Sequence, residues 1–361
     1  MIESLTQEQI ARIDQANMLD RVLGMPGHFI DAIRRAKSVP LDLKINRIKN
    51  IVVAGMGGSA IGGEIVKCLT YNQLPVPLSV CRSYYLPKFV DPGTLVLISS
   101  YSGNTEETLA AFEQALQRKA QIVCITSGGK VARLAEANNL PQFTLPSGFP
   151  PRSALVHLIV PLLYILNAVH FIPDPQTGLN ETVALLEELG QRYHPKNTNA
   201  RNLARELAFV LSAKVPIIYA TEIYEAIAWR WKEQFCENSK VLAWHNVFPE
   251  LNHNELVGWG LRREWDQRFQ VIYLRDPHAS TTEIHPRVQA RMDLTRGLIE
   301  QTSVPVIEVT SEGKSLLARF FSLIFLGDLV SVYLAVLNDV DPTPVEKINY
   351  LKSQMAKVPA A

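Results

Sequence analysis

Cysteine is scarce in this chain. Cys68, Cys81, Cys124 and Cys236 are the four in 361 residues, and no two have C-x-x-C spacing. That excludes a disulfide framework and a thiolate metal site, and it fits reduced core residues in a cytosolic protein. Net charge is equally scarce: 36 Lys and Arg balance 35 Asp and Glu to leave +1, with no long basic run interleaved with aromatics. Nucleic acid is therefore not expected as a partner. The opening MIESLTQEQIARIDQ is polar and helical and lacks the apolar core of a secretory leader, so the expected compartment is the cytoplasm. Two stretches approach membrane length. Residues 153–171 are interrupted by His157, Pro161 and Asn167, and residues 315–337 by Arg319 and Asp328, so both are expected as buried helices and no membrane partner is implied. H-E-x-x-H is also missing. His253 and Glu255 stand only two residues apart, poor ligand geometry on a helix, and no metal is expected.

What is present is a chain with 47% hydrophobic residues, long enough for two domains or two closely packed halves. Residues 95–107, LVLISSYSGNTEE, run from an apolar strand through a loop of hydroxyl residues into an amphipathic helix. Backbone N–H groups and the positive end of the dipole converge at a helix N-terminus, and Ser99, Ser100, Ser102 and Thr105 add hydroxyls there, so phosphate is the natural guest. The plainer alternative is that Ser102 or Thr105 only caps the helix, with Glu106 and Glu107 favourable in its first turn.

The strand NIVVA (residues 50–54) ends in GMGGSAIGGE, a second anion-type turn in which Gly55, Gly57 and Gly58 admit a ligand close to the backbone and Ser59 adds a donor. The run also matches G-x-G-x-x-A at Gly55, Gly57 and Ala60. A dinucleotide site needs an acidic residue at the end of the next strand, and here residues 76–80 lead into Cys81, Arg82 and Ser83. Strands at 95–98 and 121–126 continue the alternation with helices, which implies a parallel sheet whose strand ends bring the two loops to one pocket. After the Pro- and Gly-rich linker LPSGFPPRS, which carries Arg152, residues 182–211 form connecting helices. A second α/β unit follows, with strands at 215–220, 269–274 and 304–309 and helices at 223–235, 286–301 and 316–337. It has no counterpart of GMGGS or SYSGNT. The stretch 237–258, polar but flanked by Trp231, Trp244, Phe248 and Trp259, holds Glu237 and His253, a carboxylate able to shuttle a proton and an imidazole able to assist it. Taken singly, each has a plain reading: Glu237 ends its helix near Lys240, and His253 caps or packs.

Taken together and in order, GMGGSAIGGE, SYSGNTEET, PPRSAL, RWKEQFCENSK, PELNHNELVGW and DPTPVEKINYLK resemble the bifunctional phosphoglucose/phosphomannose isomerase family, built from two sugar-isomerase (SIS) domains. The resemblance spans residues 51–352. It implies two flavodoxin-like α/β/α units with mainly parallel sheets: N-terminal helices over 1–49, a first SIS domain over 50–152, a helical connection over 153–200, and a second SIS domain with C-terminal helices over 201–361.

It further implies that Gly58, Ser59, Ser100, Ser102 and Thr105 hold a sugar phosphate, that Arg152 steadies an enediolate, and that Glu237 moves the proton between C1 and C2. His253 would open the sugar ring from the neighbouring subunit of a homodimer. Lys352, or alternatively Lys347, would complete the site, and Thr343 would border the substrate. No cofactor is implied. Ala220-Thr221-Glu222 in place of a small Gly/Ser pair, and Cys236 in place of a polar residue, bear on substrate range. The alternatives are a sugar-phosphate-binding SIS protein without catalysis, an isomerase of another phosphosugar, and a metal-dependent phosphomannose isomerase. An amidotransferase-type relative would need a glutaminase region, for which residues 1–49 are too few.

Overall fold

The computed structural model describes residues 5–197, 201–261 and 263–358. The expected N-terminal, connecting and C-terminal spans extend beyond it at residues 1–4, 198–200 and 359–361, which lie outside the described residues.

Two parallel sheets form the frame. The first takes β1 (Asn50–Ala54), β2 (Leu78–Cys81), β3 (Thr94–Ser100), β4 (Gln121–Thr126) and β5 (Gln142–Thr144) in the order β2-β1-β3-β4-β5. This is the flavodoxin-like order, with its switch point between β1 and β3. The second takes β6 (Val215–Thr221), β7 (Trp244–Phe248), β8 (Phe269–Arg275) and β9 (Val306–Thr310) in the order β7-β6-β8-β9. Every pairing in both sheets is parallel.

The period of two along a strand sorts the first sheet's side chains into two cores. Val52, Ala54, Val96, Ile98, Ile122 and Cys124 face helices Glu106–Gln117 and Gly129–Ala137. Ile51, Val53, Leu95, Leu97, Val123 and Ile125 face the opposite way, into a core continuous with the second unit.

At the centre of that shared core is helix Leu316–Leu337, buried along nearly its whole length, so its length and composition serve protein packing. Trp231, itself fully buried, crosses the helix at Gly327, where a β-carbon would fall 2.3 Å from the indole nitrogen. Its Nε1 donates to the Leu323 carbonyl at 2.9 Å. Helices Gln176–Tyr193 and Leu203–Leu211 also pack on this central helix.

Three expectations about element boundaries and edges are corrected. Pairing in β2 and β9 begins at Leu78 and Val306, two residues later than the apolar run indicates, because Pro77 and Pro305 have no N–H to donate. β5 and β7 have no strong apolar signature, since both are edge strands and β7 is largely half-exposed. The helix ending near Phe235 does not stop there. Helix Glu225–Gln234 continues into a π-helical turn over Phe235–Ser239.

Candidate active site

At the ends of β1 and β3 the chain makes two turns, each opening a helix that lacks a side-chain cap. Gly57, with φ +51°, precedes helix Gly58–Leu69, and Thr105 precedes helix Glu106–Gln117, its side chain making no cap bond. The hydroxyl of Thr105 is therefore not spent as a cap. In helix Gly58–Leu69 the Ser59 and Ala60 N–H groups donate to the Met56 and Gly57 carbonyls at 3.1 and 3.0 Å, so what the two helix starts offer an anion is their remaining first-turn N–H groups.

The turns are tied to each other. Ser59 Oγ accepts from the Tyr101 backbone N–H at 3.2 Å, Ser100 Oγ accepts from Gly103 N–H at 3.1 Å and donates to Thr105 Oγ1 at 3.3 Å. A β-carbon on Gly55 would lie 2.7 Å from the Ser99 carbonyl oxygen, so only glycine allows β1 and β3 to come this close at their ends. Ser102 is exposed, and its Oγ accepts from Asn104 N–H at 3.3 Å. Asn104 serves the neighbouring helix Gly129–Ala137 instead, where its Oδ1 caps the first turn by accepting from Lys130 N–H at 3.1 Å.

The linker carries Arg152 to this place. Tyr101 Oη accepts from Phe149 N–H at 2.8 Å and donates to the Pro146 carbonyl at 2.9 Å, which fixes the linker on the hydroxyl loop itself. A β-carbon on Gly58 would be 2.9 Å from the Pro151 carbonyl oxygen and 3.4 Å from Arg152 Cα. The glycine loop and Arg152 are thus in direct contact.

Arg152 is 4% exposed, and four hydrogen bonds hold it. Nε donates to Asn238 Oδ1 at 2.6 Å, one terminal nitrogen donates to the Pro342 and Thr343 carbonyls at 2.7 and 3.0 Å, and the other donates to Glu237 Oε2 at 3.3 Å. A guanidinium has five N–H donors, so one is left, on the nitrogen that already touches Glu237. Burial lowers the Arg152 pKa, and the Glu237 carboxylate opposes that shift.

Glu237 sits in the π-helical turn with its side chain 28% exposed, open to a ligand on one side and paired with Arg152 on the other. Such turns recur at functional sites because the extra residue re-aims side chains along one face. The central helix holds the turn from behind: Asn238 Nδ2 donates to Ser331 Oγ at 2.9 Å, and Ser239 Oγ donates to the Ser331 carbonyl at 2.6 Å. On the same helix, Asp328 pairs with Arg230 at 2.6 Å, and Arg230 donates to the Arg152 carbonyl at 3.0 Å. Lys240 Nζ donates to the Glu237 carbonyl and, at 3.1 Å, to that of Pro342.

The structure therefore brings together Gly58, Ser59, Ser100, Thr105, Arg152, Glu237 and the backbone of Thr343, whose own Oγ1 is buried without a hydrogen-bond partner. It does not bring His253, Lys347 or Lys352 into this cluster. His253 is exposed at the end of the turn Glu250–His253, and both lysines lie on the exposed helix Glu346–Met355. None of the three makes a side-chain hydrogen bond or ion pair with the described residues. Arg82, just past the end of β2, bonds Glu64 at 2.8 Å and lies 4.2 Å over the Trp229 ring. Among the described residues no group of three or more His, Cys, Asp and Glu is placed to hold a metal ion.

Comparison with known proteins gives the site its setting. The SIS domain family matches residues 44–141, and the bacterial phospho-glucose isomerase C-terminal SIS domain matches residues 200–355. The bifunctional phosphoglucose/phosphomannose isomerase of Caldicellulosiruptor bescii is 43% identical over 94% of this chain and 99% of its own. The Aquifex aeolicus protein of the same name is 36% identical over 86% of this chain and 91% of its own. This chain belongs to the bifunctional phosphoglucose/phosphomannose isomerase family. The fold is shared more widely: a hypothetical protein from Thermus thermophilus, known from its crystal structure, superposes with a TM-score of 0.74 over 99% of this chain and 95% of its own, at 16% identity.

Within this family member, sequence reasoning missed Asn238, Arg230, Ser331 and Lys240, the residues that hold Arg152 and Glu237 in place. One signal was available. Asp328 is an acid deep inside a mainly apolar helix, and a buried carboxylate requires a buried cation.

Proposed function

We propose that the protein is a cytosolic aldose-ketose isomerase that interconverts fructose 6-phosphate with glucose 6-phosphate and mannose 6-phosphate through a cis-enediol. The observation that carries this reading is the bridge made by Arg152, which touches the anion-type glycine turn through its backbone and Glu237 through its guanidinium. Gly58, Ser59, Ser100, Ser102 and Thr105 hold the phosphate. Glu237 takes the proton from C2 of the open-chain aldose as the C1–C2 double bond forms and the C1 oxygen is protonated. It then returns the proton to C1 while the C2 hydroxyl becomes the ketone. The remaining N–H of Arg152 faces the enediolate oxygens, where charge develops. Because C2 is planar in the enediol, the configuration that separates glucose from mannose is erased there, and one site serves both epimers. Thr343 borders the substrate at C2, and Lys352, or else Lys347, closes the site from the C-terminal helix.

His253 opens the ring and is supplied by the second subunit of a homodimer. Its neighbourhood supports this: Leu242 and Trp244, just before and on the edge strand β7, and Val257, four residues beyond His253, are between 51% and 90% exposed, apolar side chains that a second copy would cover. Mixing Glu237→Gln and His253→Ala proteins tests the arrangement. After subunit exchange, a mixed dimer has one site with both residues intact, so activity reappears. If the mixture stays as inactive as its parts, His253 acts within its own chain. The reaction itself is tested by incubating purified protein and a chelator with fructose 6-phosphate and following the products by NMR. Both aldose phosphates should appear. Neither would overturn the proposal, and glucose 6-phosphate alone would remove the mannose branch.

A further inference from the structure

The loop that carries His253 is held from beneath by a carboxylate that the reaction does not use. Tyr219, on β6, is fully buried between the rings of Phe248 and Tyr273, and its hydroxyl donates to Glu255 Oε1. The other carboxylate oxygen accepts from Asn246 Nδ2, on β7, at 2.5 Å. Asn254 adds two local bonds, accepting from Glu255 N–H at 2.6 Å and donating to Glu250 Oε1 at 2.8 Å, and Asn252 donates to Thr295 Oγ1 at 2.7 Å. His253 thus stands between two tethered asparagines, two residues before the anchored glutamate, with its imidazole exposed.

Packing alone does not explain this arrangement. Phenylalanine at 219 would fill the same space between the two rings, so what the phenol adds is its bond to an exposed loop. A buried hydroxyl that loses its acceptor costs more than an exposed one, which makes the phenol-carboxylate contact a firm anchor.

We infer that Glu255, gripped by Tyr219 and Asn246, is a positioning residue that presents His253 for ring opening. This rests on the ring-opening role of His253 proposed above. A misplacement of about 1 Å suffices to lower a rate by up to roughly a hundredfold.

The test compares two readouts in the full-length protein. One is catalysed anomerisation of glucose 6-phosphate, followed by exchange NMR, which reports ring opening. The other is isomerisation of an aldose phosphate analogue lacking the ring-closing hydroxyls. Glu255→Ala should slow anomerisation roughly tenfold and leave the open-chain analogue within about twofold. Tyr219→Phe, which removes one oxygen from a packed ring, should give the same pattern more weakly. The double variant Glu255→Ala/His253→Ala should be no slower than His253→Ala alone, because both act through one imidazole.

Equal loss on both readouts, or additive losses in the double variant, would overturn the inference. If His253→Ala abolishes anomerisation while Glu255→Ala and Tyr219→Phe retain it, Glu255 is not the anchor although the histidine's role stands. If His253→Ala itself leaves anomerisation intact, both readings fall.

Discussion

The two sheets end differently, although both are parallel. At the ends of β1 and β3, glycines and hydroxyls surround helix N-termini without a side-chain cap, and among the described residues no carboxylate accepts a hydrogen bond from Ser59, Ser100 or Thr105. At the ends of β8 and β9, Asp276 already stands where an anion would. It accepts from Tyr224 Oη at 2.6 Å, Ser311 Oγ at 2.8 Å and the His278 backbone N–H at 3.0 Å, and it pairs with Arg319 at 2.8 Å. Burial and the Asp276 charge together raise the Tyr224 pKa, as expected for a phenol committed to donating. In the proposed reading the first unit keeps its strand-end site open for a ligand's charge, whereas the second fills its own and becomes scaffold. On the proposed mechanism, what the second unit gives to the reaction comes instead from the helix after β6, through the π-helical turn that carries Glu237.

If that division of labour is right, removing Glu237 should remove chemistry and spare binding. Glu237→Gln keeps the side chain's volume and one acceptor for Arg152 but cannot take a proton. Turnover of fructose 6-phosphate should fall by about 10⁴-fold, the upper range for a general base. Affinity for a non-isomerising sugar phosphate, measured calorimetrically, should stay within about threefold, because the phosphate loops lie in the other unit. Normal turnover would mean that the base lies elsewhere.

The converse variant is Asp276→Ala, which empties the self-filled site of the second unit. Arg319, 6% exposed, would lose one of two acidic partners, and the Tyr224 and Ser311 hydroxyls would lose their acceptor. Breaking a buried pair in this way costs about 3 kcal/mol, to be read as a lower urea midpoint, while kcat of the folded protein at 25 °C should change less than about twofold. An unchanged midpoint would show that the network is not what braces this unit. A large loss of kcat would show that the second sheet's strand ends belong to the active site after all.

How much of this could be read in the sequence follows from where the partners sit. GMGGS and SYSGNT are local: a strand, a turn with glycines and hydroxyls, and a helix, all within a few residues, so their character was visible. Arg152 could be named but its setting could not, since its partners Asn238, Pro342 and Thr343 lie 86 to 191 residues away and two of them contribute only backbone carbonyls. A carbonyl has no sequence signature. β7 was missed because an edge strand pairs on one side and lacks clean alternation, and Asp276 because its partners come from separate segments of ordinary composition. Asp328 differs from these. An acid in the middle of an apolar helix demanded a cation, and only the identity of Arg230 had to wait for the structure.

The smallest change tests the contact between the two halves of the site. Gly58 opens its helix with a backbone that alanine can adopt, so Gly58→Ala adds no conformational strain and only a methyl group. That methyl would sit 2.9 Å from the Pro151 carbonyl oxygen, which is rigid backbone, so the linker must retreat by a few tenths of an ångström and take Arg152 with it. The Arg152 side chain is pinned at its far end by Asn238 and two carbonyls, so the shift strains the bond to Glu237, at 3.3 Å the longest of the four. Turnover should fall roughly tenfold while inorganic phosphate still competes within about threefold of its original strength. A loss confined to phosphate affinity would mean that Gly58 serves the anion alone, and the two halves would then meet only through the substrate.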